Sequence, residues 1–243
     1  MTALLSTEAL KLRTLRTTWI VAALAVAVSA AIGFAAVRIS IGAHEPLRLA
    51  AVAGTPAQAM WFLAIVSAVL ASAGEFQHRT IRTTLLAVPQ RRRVLVAKSA
   101  VAGAYGGLLV LLGTAAAVVA GLIAAGGSGA SFTGVGVSWE HLAGTVAVGA
   151  VFAVLATGLG MLTRSTVIAI GAVLLWRFVG EGILPALLHH DGITRWTPTG
   201  TAGALIGTGD HPLAPWAAAL TLSGYTAAIC GLAAVLFLRR DPT

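Results

Sequence analysis

Six stretches of the chain, residues 19–39, 57–74, 99–125, 142–163, 166–187 and 214–238, run as almost uninterrupted apolar sequence. A helix needs roughly 20 residues to cross the hydrocarbon core of a bilayer, and each stretch is of that order. Only helices and closed barrels satisfy their backbone polar groups in hydrocarbon. These runs are continuous, without the short alternating segments of a barrel, so the fold expected is an all-α membrane protein with six transmembrane helices. Composition points the same way, since 58% of residues are apolar and 10% charged, against about 25% charged in a soluble domain.

The remaining charge is placed unevenly. A net charge of +8 would suggest nucleic acid in a soluble protein, but here most basic residues border apolar runs, where they set topology and meet anionic lipid. Of the 16 Lys and Arg residues, twelve fall on the side of the two termini, three (Arg38, Arg48 and Arg195) on the other, and Arg177 lies inside a span. That excess predicts both termini in the cytoplasm, and the expected location is the plasma membrane, as a multi-pass protein of the bacterial inner membrane. Residues 19–37 are too long for the apolar region of a cleaved signal peptide and are expected to be a retained anchor. The single cysteine, Cys230, has no partner in the chain for a disulfide.

Two segments outside the spans carry helical patterns. In residues 1–18, Leu5, Leu12, Leu15 and Trp19 form a stripe interrupted by Glu8, with Lys11, Arg13 and Arg16 elsewhere; this predicts an amphipathic helix along the inner membrane surface. The loop at 75–98, EFQHRTIRTTLLAVPQRRRVLVAK, holds six of the basic residues. Within it Ile81, Leu85 and Val88 recur at helical spacing, Glu75, Arg79 and Arg82 take the opposite face, and Pro89 closes the segment. A short surface helix with two usable faces is expected, with Glu75 and Arg79 paired four residues apart. Beyond it Arg91, Arg92, Arg93 and Lys98 suit the phosphates of the inner leaflet.

This loop, with a Glu leaving the second span, then RTIRTTLLAVP and RRRVLVAK, resembles the first cytoplasmic loop of permease subunits of type 2 ATP-binding cassette (ABC) exporters. The six-span count and the preceding surface helix are similar too, so the resemblance covers nearly the whole chain. It implies an elbow helix over residues 1–18, a six-helix transmembrane domain over 19–243 and a coupling helix over about 76–88. Glu75, Phe76, Arg79, Ile81, Arg82, Leu85 and Val88 would then dock onto a separate ATPase subunit, present in two copies. It further implies a second copy of this permease or a homologous one, with ATP and magnesium bound by the ATPase. The expected cargo is hydrophobic or amphiphilic: a drug, lipid or peptide. A membrane-bound accessory or immunity-type binding protein without transport activity is the alternative.

The chain carries no G-x-x-x-x-G-K-[ST]: its two lysines, Lys11 and Lys98, each follow a residue other than glycine, so nucleotide must bind elsewhere. No nucleophile stands beside a general base, and no enzymatic activity is expected of the chain. Arg177 and Glu181, four apart in the fifth span, are costly in lipid unless paired or facing a cavity, and read equally as a structural ion pair or as part of a pathway. His189, His190, Asp191, Asp210 and His211 in the last outer loop lack the spacing of a metal site, and Ala202–Ile206 with Trp196 and Pro198 suggests a partly inserted turn. Gly103 and Gly107 offer a small face for helix packing.

Overall fold

The computed structural model describes residues 2–87, 90–128, 132, 138–183, 187, 191–207 and 213–239, without the side chains of Arg82, Leu85, Ala87 and Asp191. Helix α1 (Thr2–Thr14) precedes α2 (Arg16–Gly42), and a short α3 (Leu49–Gly54) leads into α4 (Ala57–Gln77). Then follow α5 (Thr80–Ala87), the long α6 (Arg91–Gly126), α7 (Trp139–Thr163) and α8 (Thr166–Leu175), which continues as a π-helical turn over Trp176–Ile183. A 3-10 turn (Asp191–Trp196), α9 (Pro198–Leu205) and α10 (Pro215–Arg239) complete the chain. Six helical stretches are long and apolar enough to cross a membrane, as expected. Among the described residues the only extended pairing is an isolated bridge between Leu47 and Phe132.

Local chemistry sets the boundaries. Ser138 caps α7 by accepting the His141 amide at 3.2 Å, and Ser165 caps α8 by accepting that of Ile168 at 3.4 Å, each satisfying an amide that the first turn leaves free. Between them Arg164 closes α7 in the left-handed conformation, φ 54°, so the fourth and fifth spans do form the expected tight hairpin. The helix that carries the third apolar run begins before it. It starts at Arg91, ahead of residue 99, because the charged turns before the apolar run are themselves good helix formers.

Close approach of small residues builds the bundle, in the absence of a hydrophobic drive between helices in lipid. Helix α2 packs most extensively on α6, and α7 contacts α4, α6 and α10. Gly106 of α6 lies against Ala153 and Gly149 of α7, and Gly103 and Gly107 face Val154, Ala150 and Val146 on the same helix. The small face noted in the sequence thus joins two spans of one chain. Towards the end away from the termini the core centres on Met60, Trp61, Leu109, Phe152 and Leu222. Trp61 and Phe152 meet edge to face at 5.8 Å. At the end carrying the termini a smaller cluster of Ile81, Met161, Ala233 and Phe237 closes the bundle.

Candidate functional site

At that end four charged side chains converge from three helices. Lys11 Nζ donates to Glu8 Oε1 at 2.6 Å, to Glu75 Oε1 at 3.0 Å and to Thr84 Oγ1 at 3.0 Å. Lys98 Nζ donates to Glu8 Oε2 at 2.7 Å and lies 2.8 Å from Glu75 Oε1. Both lysines of the chain are therefore committed to one cluster, which ties α1 to the last turn of α4, to α5 through Thr84 and to the first turns of α6. Two positive and two negative charges cancel, and mutual bonding offsets the desolvation that their burial costs. The Glu8 and Lys98 side chains are only 5% and 7% exposed.

Several expectations change here. Lys98, placed at the lipid headgroups from its sequence position, is instead buried between two carboxylates. Arg91 Nη1 donates to the carbonyl of Phe237 at 3.0 Å, where a cation favours the C-terminus of α10. Arg92 and Arg93 are exposed, in keeping with a headgroup position. The Glu75–Arg79 pair does not form among the described side chains, since Arg79 takes a left-handed φ of 57° that breaks the helix between α4 and α5. For the same reason Glu75 and Phe76 end α4, and the loop helix covers Thr80–Ala87, shorter than 76–88.

Of the apolar stripe read in the loop, Ile81 is the member whose side chain the structure describes. Ile81 is buried against Met161, Ala233 and Phe237, and Phe76 stacks edge to face on Phe237 at 6.3 Å with the Arg164 guanidinium 5.3 Å above its ring. These two residues fasten the loop to the bundle. Among the described side chains of the loop helix the exposed apolar one is Leu86, 85% exposed, which the sequence reading passed over. Val88 lies outside the described residues, as do the side chains of Arg82 and Leu85.

The electrostatics of the cluster give it a pH signature. Burial pushes the Glu8 carboxyl up, but the Lys98 charge and hydrogen bonds from Lys11 and Lys98 outweigh it, leaving the group below the ordinary glutamate range. Burial pushes Lys11 down, but its bond to Glu8 and the charge of Glu75 carry it above the ordinary lysine range. A depressed carboxyl contributes stability that is present above its unfolded value and lost as pH falls through the folded one. A raised lysine contributes below its unfolded value and loses it only as pH rises through the higher folded one. Melting temperature in detergent is therefore expected to hold across neutral pH and fall below about pH 4, with Glu8→Gln flattening that fall. An identical acid profile in the variant defeats this assignment.

A second feature lies at the opposite end. The π-helical turn brings Glu181 under Trp176, whose Nε1 donates to Glu181 Oε1 at 3.3 Å, and the same oxygen accepts the Thr199 amide at 3.0 Å. Glu181 thus caps the N-terminus of α9, the short helix that covers Pro198–Leu205, where the helix dipole favours an anion. Arg177 is off to one side, 3.9 Å from Glu181 Oε2 and 3.4 Å from Gln58 Oε1. The extra residue of a π-turn explains why a spacing of four does not give a close pair. Because Gln58 is in the first turn of α4, a helix of 21 residues spanning about 31 Å, the pair lies towards the end of the bundle away from the termini. His189, His190, Asp210 and His211 lie outside the described residues.

Glu181, Arg177, Gln58 and Thr199 edge a cavity of about 750 Å³ between α4, α7, α8, α9 and α10. The rest of its wall is apolar, including Trp61, Phe62, Trp176 and Tyr225, and deeper Ile65, Leu159, Ala172 and Ile229. No curated protein matches the chain at a significant level. A family model described as "ABC-2 family transporter protein" matches residues 4–180, a stretch that includes most of α1, the charge cluster, the loop helix, the first four spans and most of the fifth. The chain therefore belongs to the ABC-2 family of transporter proteins, as a multi-pass permease.

Proposed function

We propose that the chain is the membrane subunit of an ABC exporter, pairing with a second permease to form a pathway and driven by two copies of a separate ATPase that holds ATP and magnesium. The observation that carries this reading is α5, a short helix fastened to the bundle by Ile81 and to α1 through Thr84 and Lys11, with Leu86 projecting outward. In this reading the twelve basic residues keep that end in the cytoplasm, and Leu86, Arg79 and Arg82 meet the ATPase, with Leu85 and Val88 beside them. Glu75 positions α5 instead of touching the partner. Arg92 and Arg93 hold the headgroups. The little-buried fifth span leaves apolar surface for a second permease. The cavity supports a hydrophobic or amphiphilic cargo.

The test is copurification. Affinity-tagged permease extracted in mild detergent is expected to elute with ATPase activity, and Leu86→Asp to reduce the retained activity more than tenfold, since losing one buried leucine costs about 1.5–3 kcal/mol. An eluate without ATPase favours a non-transporting accessory protein. Full activity with Leu86→Asp removes α5 from the docking role.

A further inference from the structure

The cavity beside Glu181 has a polar end and an apolar end, and its register follows the helices. On α4 the lining passes from Gln58 to Ile65, about 10 Å along the axis. On α7 and α10 it passes from Phe152 to Leu159 and from Tyr225 to Ile229, and α8, running the other way, brings Ala172 to the deep end and Glu181 to the shallow one. An amphiphile would fit with its head at Glu181 and its tail among the deeper side chains. Glu181 decides the chemistry of the head. Its side chain is 5% exposed, Oε1 is engaged by Thr199 and Trp176, and Oε2 has no hydrogen-bond partner among the described residues. A buried carboxylate oxygen without a donor is costly, so a ligand that supplies one gains what the protein has left unmade. Arg177 does not supply it: at 3.9 Å it is beyond hydrogen-bond reach, its guanidinium bonds Gln58 Oε1 at 3.4 Å instead, and its side chain is 45% exposed.

We propose that this cavity binds lipophilic amines, with the protonated nitrogen displacing Arg177 to bond Glu181 Oε2 and the apolar tail lying between α4, α7 and α8. The inference rests on the reading of the chain as a transport permease and names the class of cargo.

The experiment uses the purified full chain in nanodiscs, without ATPase, and three fluorescent probes of one skeleton: dansylcadaverine, its N-acetyl derivative and its N-succinyl derivative. Dansylcadaverine is expected to bind at least tenfold more tightly than either neutral or anionic form. Glu181→Gln keeps an acceptor for Thr199 and Trp176, so α9 stays capped, yet it should remove that preference. Ala172→Phe, an exposed position at the end of the lining far from Glu181, should weaken the amine without touching its head group. Equal binding of amine and N-acetyl probes, tighter binding of the succinyl probe, or an unchanged preference in Glu181→Gln each overturns the proposal. If the amine fails to bind while ATPase still copurifies, the cargo class is wrong and the permease reading stands.

Discussion

Lys98→Met is expected to destabilise the folded subunit by about 3–5 kcal/mol, the range seen when one partner of a buried ion pair is removed. Lys98 bonds Glu8 at 2.7 Å and stands 2.8 Å from Glu75. Without it Lys11 alone faces two carboxylates, and one negative charge is left buried and uncompensated. The contact between α1 and α6 depends on this cluster, so α1 should also come loose. Thermal unfolding in detergent measures the first effect, and the rate of tryptic cleavage after Arg13 the second. Arg92→Met, at an exposed position six residues earlier, is the control and should stay within about 0.5 kcal/mol. Adding Glu8→Leu to Lys98→Met should recover part of the loss, because an apolar pair replaces a broken one. A Lys98→Met protein as stable as the Arg92→Met control, with α1 equally protected, means that the cluster carries no weight.

What the sequence made legible was what depends on runs and counts. Apolar length found all six spans, and the single positive-inside imbalance marked one end. The charge cluster escaped because its partners are 64 and 90 residues apart along the chain. Glu8 looked like a flaw in an apolar stripe, whereas its burial beside Leu4 makes it the anchor of α1. A local hint existed: Glu8 and Lys11 stand one turn apart, and the only other lysine opens a span. The loop helix was placed correctly and its start was not, because nothing in His78-Arg79-Thr80 signals a left-handed residue where no glycine stands. Likewise the Arg177–Glu181 spacing assumed an α-helix, and the π-turn that reassigns Glu181 to Trp176 and α9 is set by tertiary packing.

Gly33→Val is expected to cost about 3 kcal/mol, the upper end for overpacking a close contact, and to act through the widest helix interface in the molecule. A Cβ at Gly33 would collide with the carbonyl oxygen of Ala117 and approach its Cα to 2.7 Å and its carbonyl carbon to 2.8 Å. These are backbone atoms of α6, itself held by α7 through Gly106 and Gly149, so no side chain can turn away and α2 must move bodily outward. Gly171→Ala separates this from glycine's intrinsic helix propensity, since nothing stands within 4 Å of that position and the change should be neutral or slightly stabilising. Unfolding by denaturing detergent, followed by helicity, should show early loss for Gly33→Val alone. If both variants unfold alike, α2 and α6 do not approach as closely as backbone contact requires. The glycine would then be incidental, and the packing of the first span would have to rest on its apolar side chains, many of which face outward from the bundle.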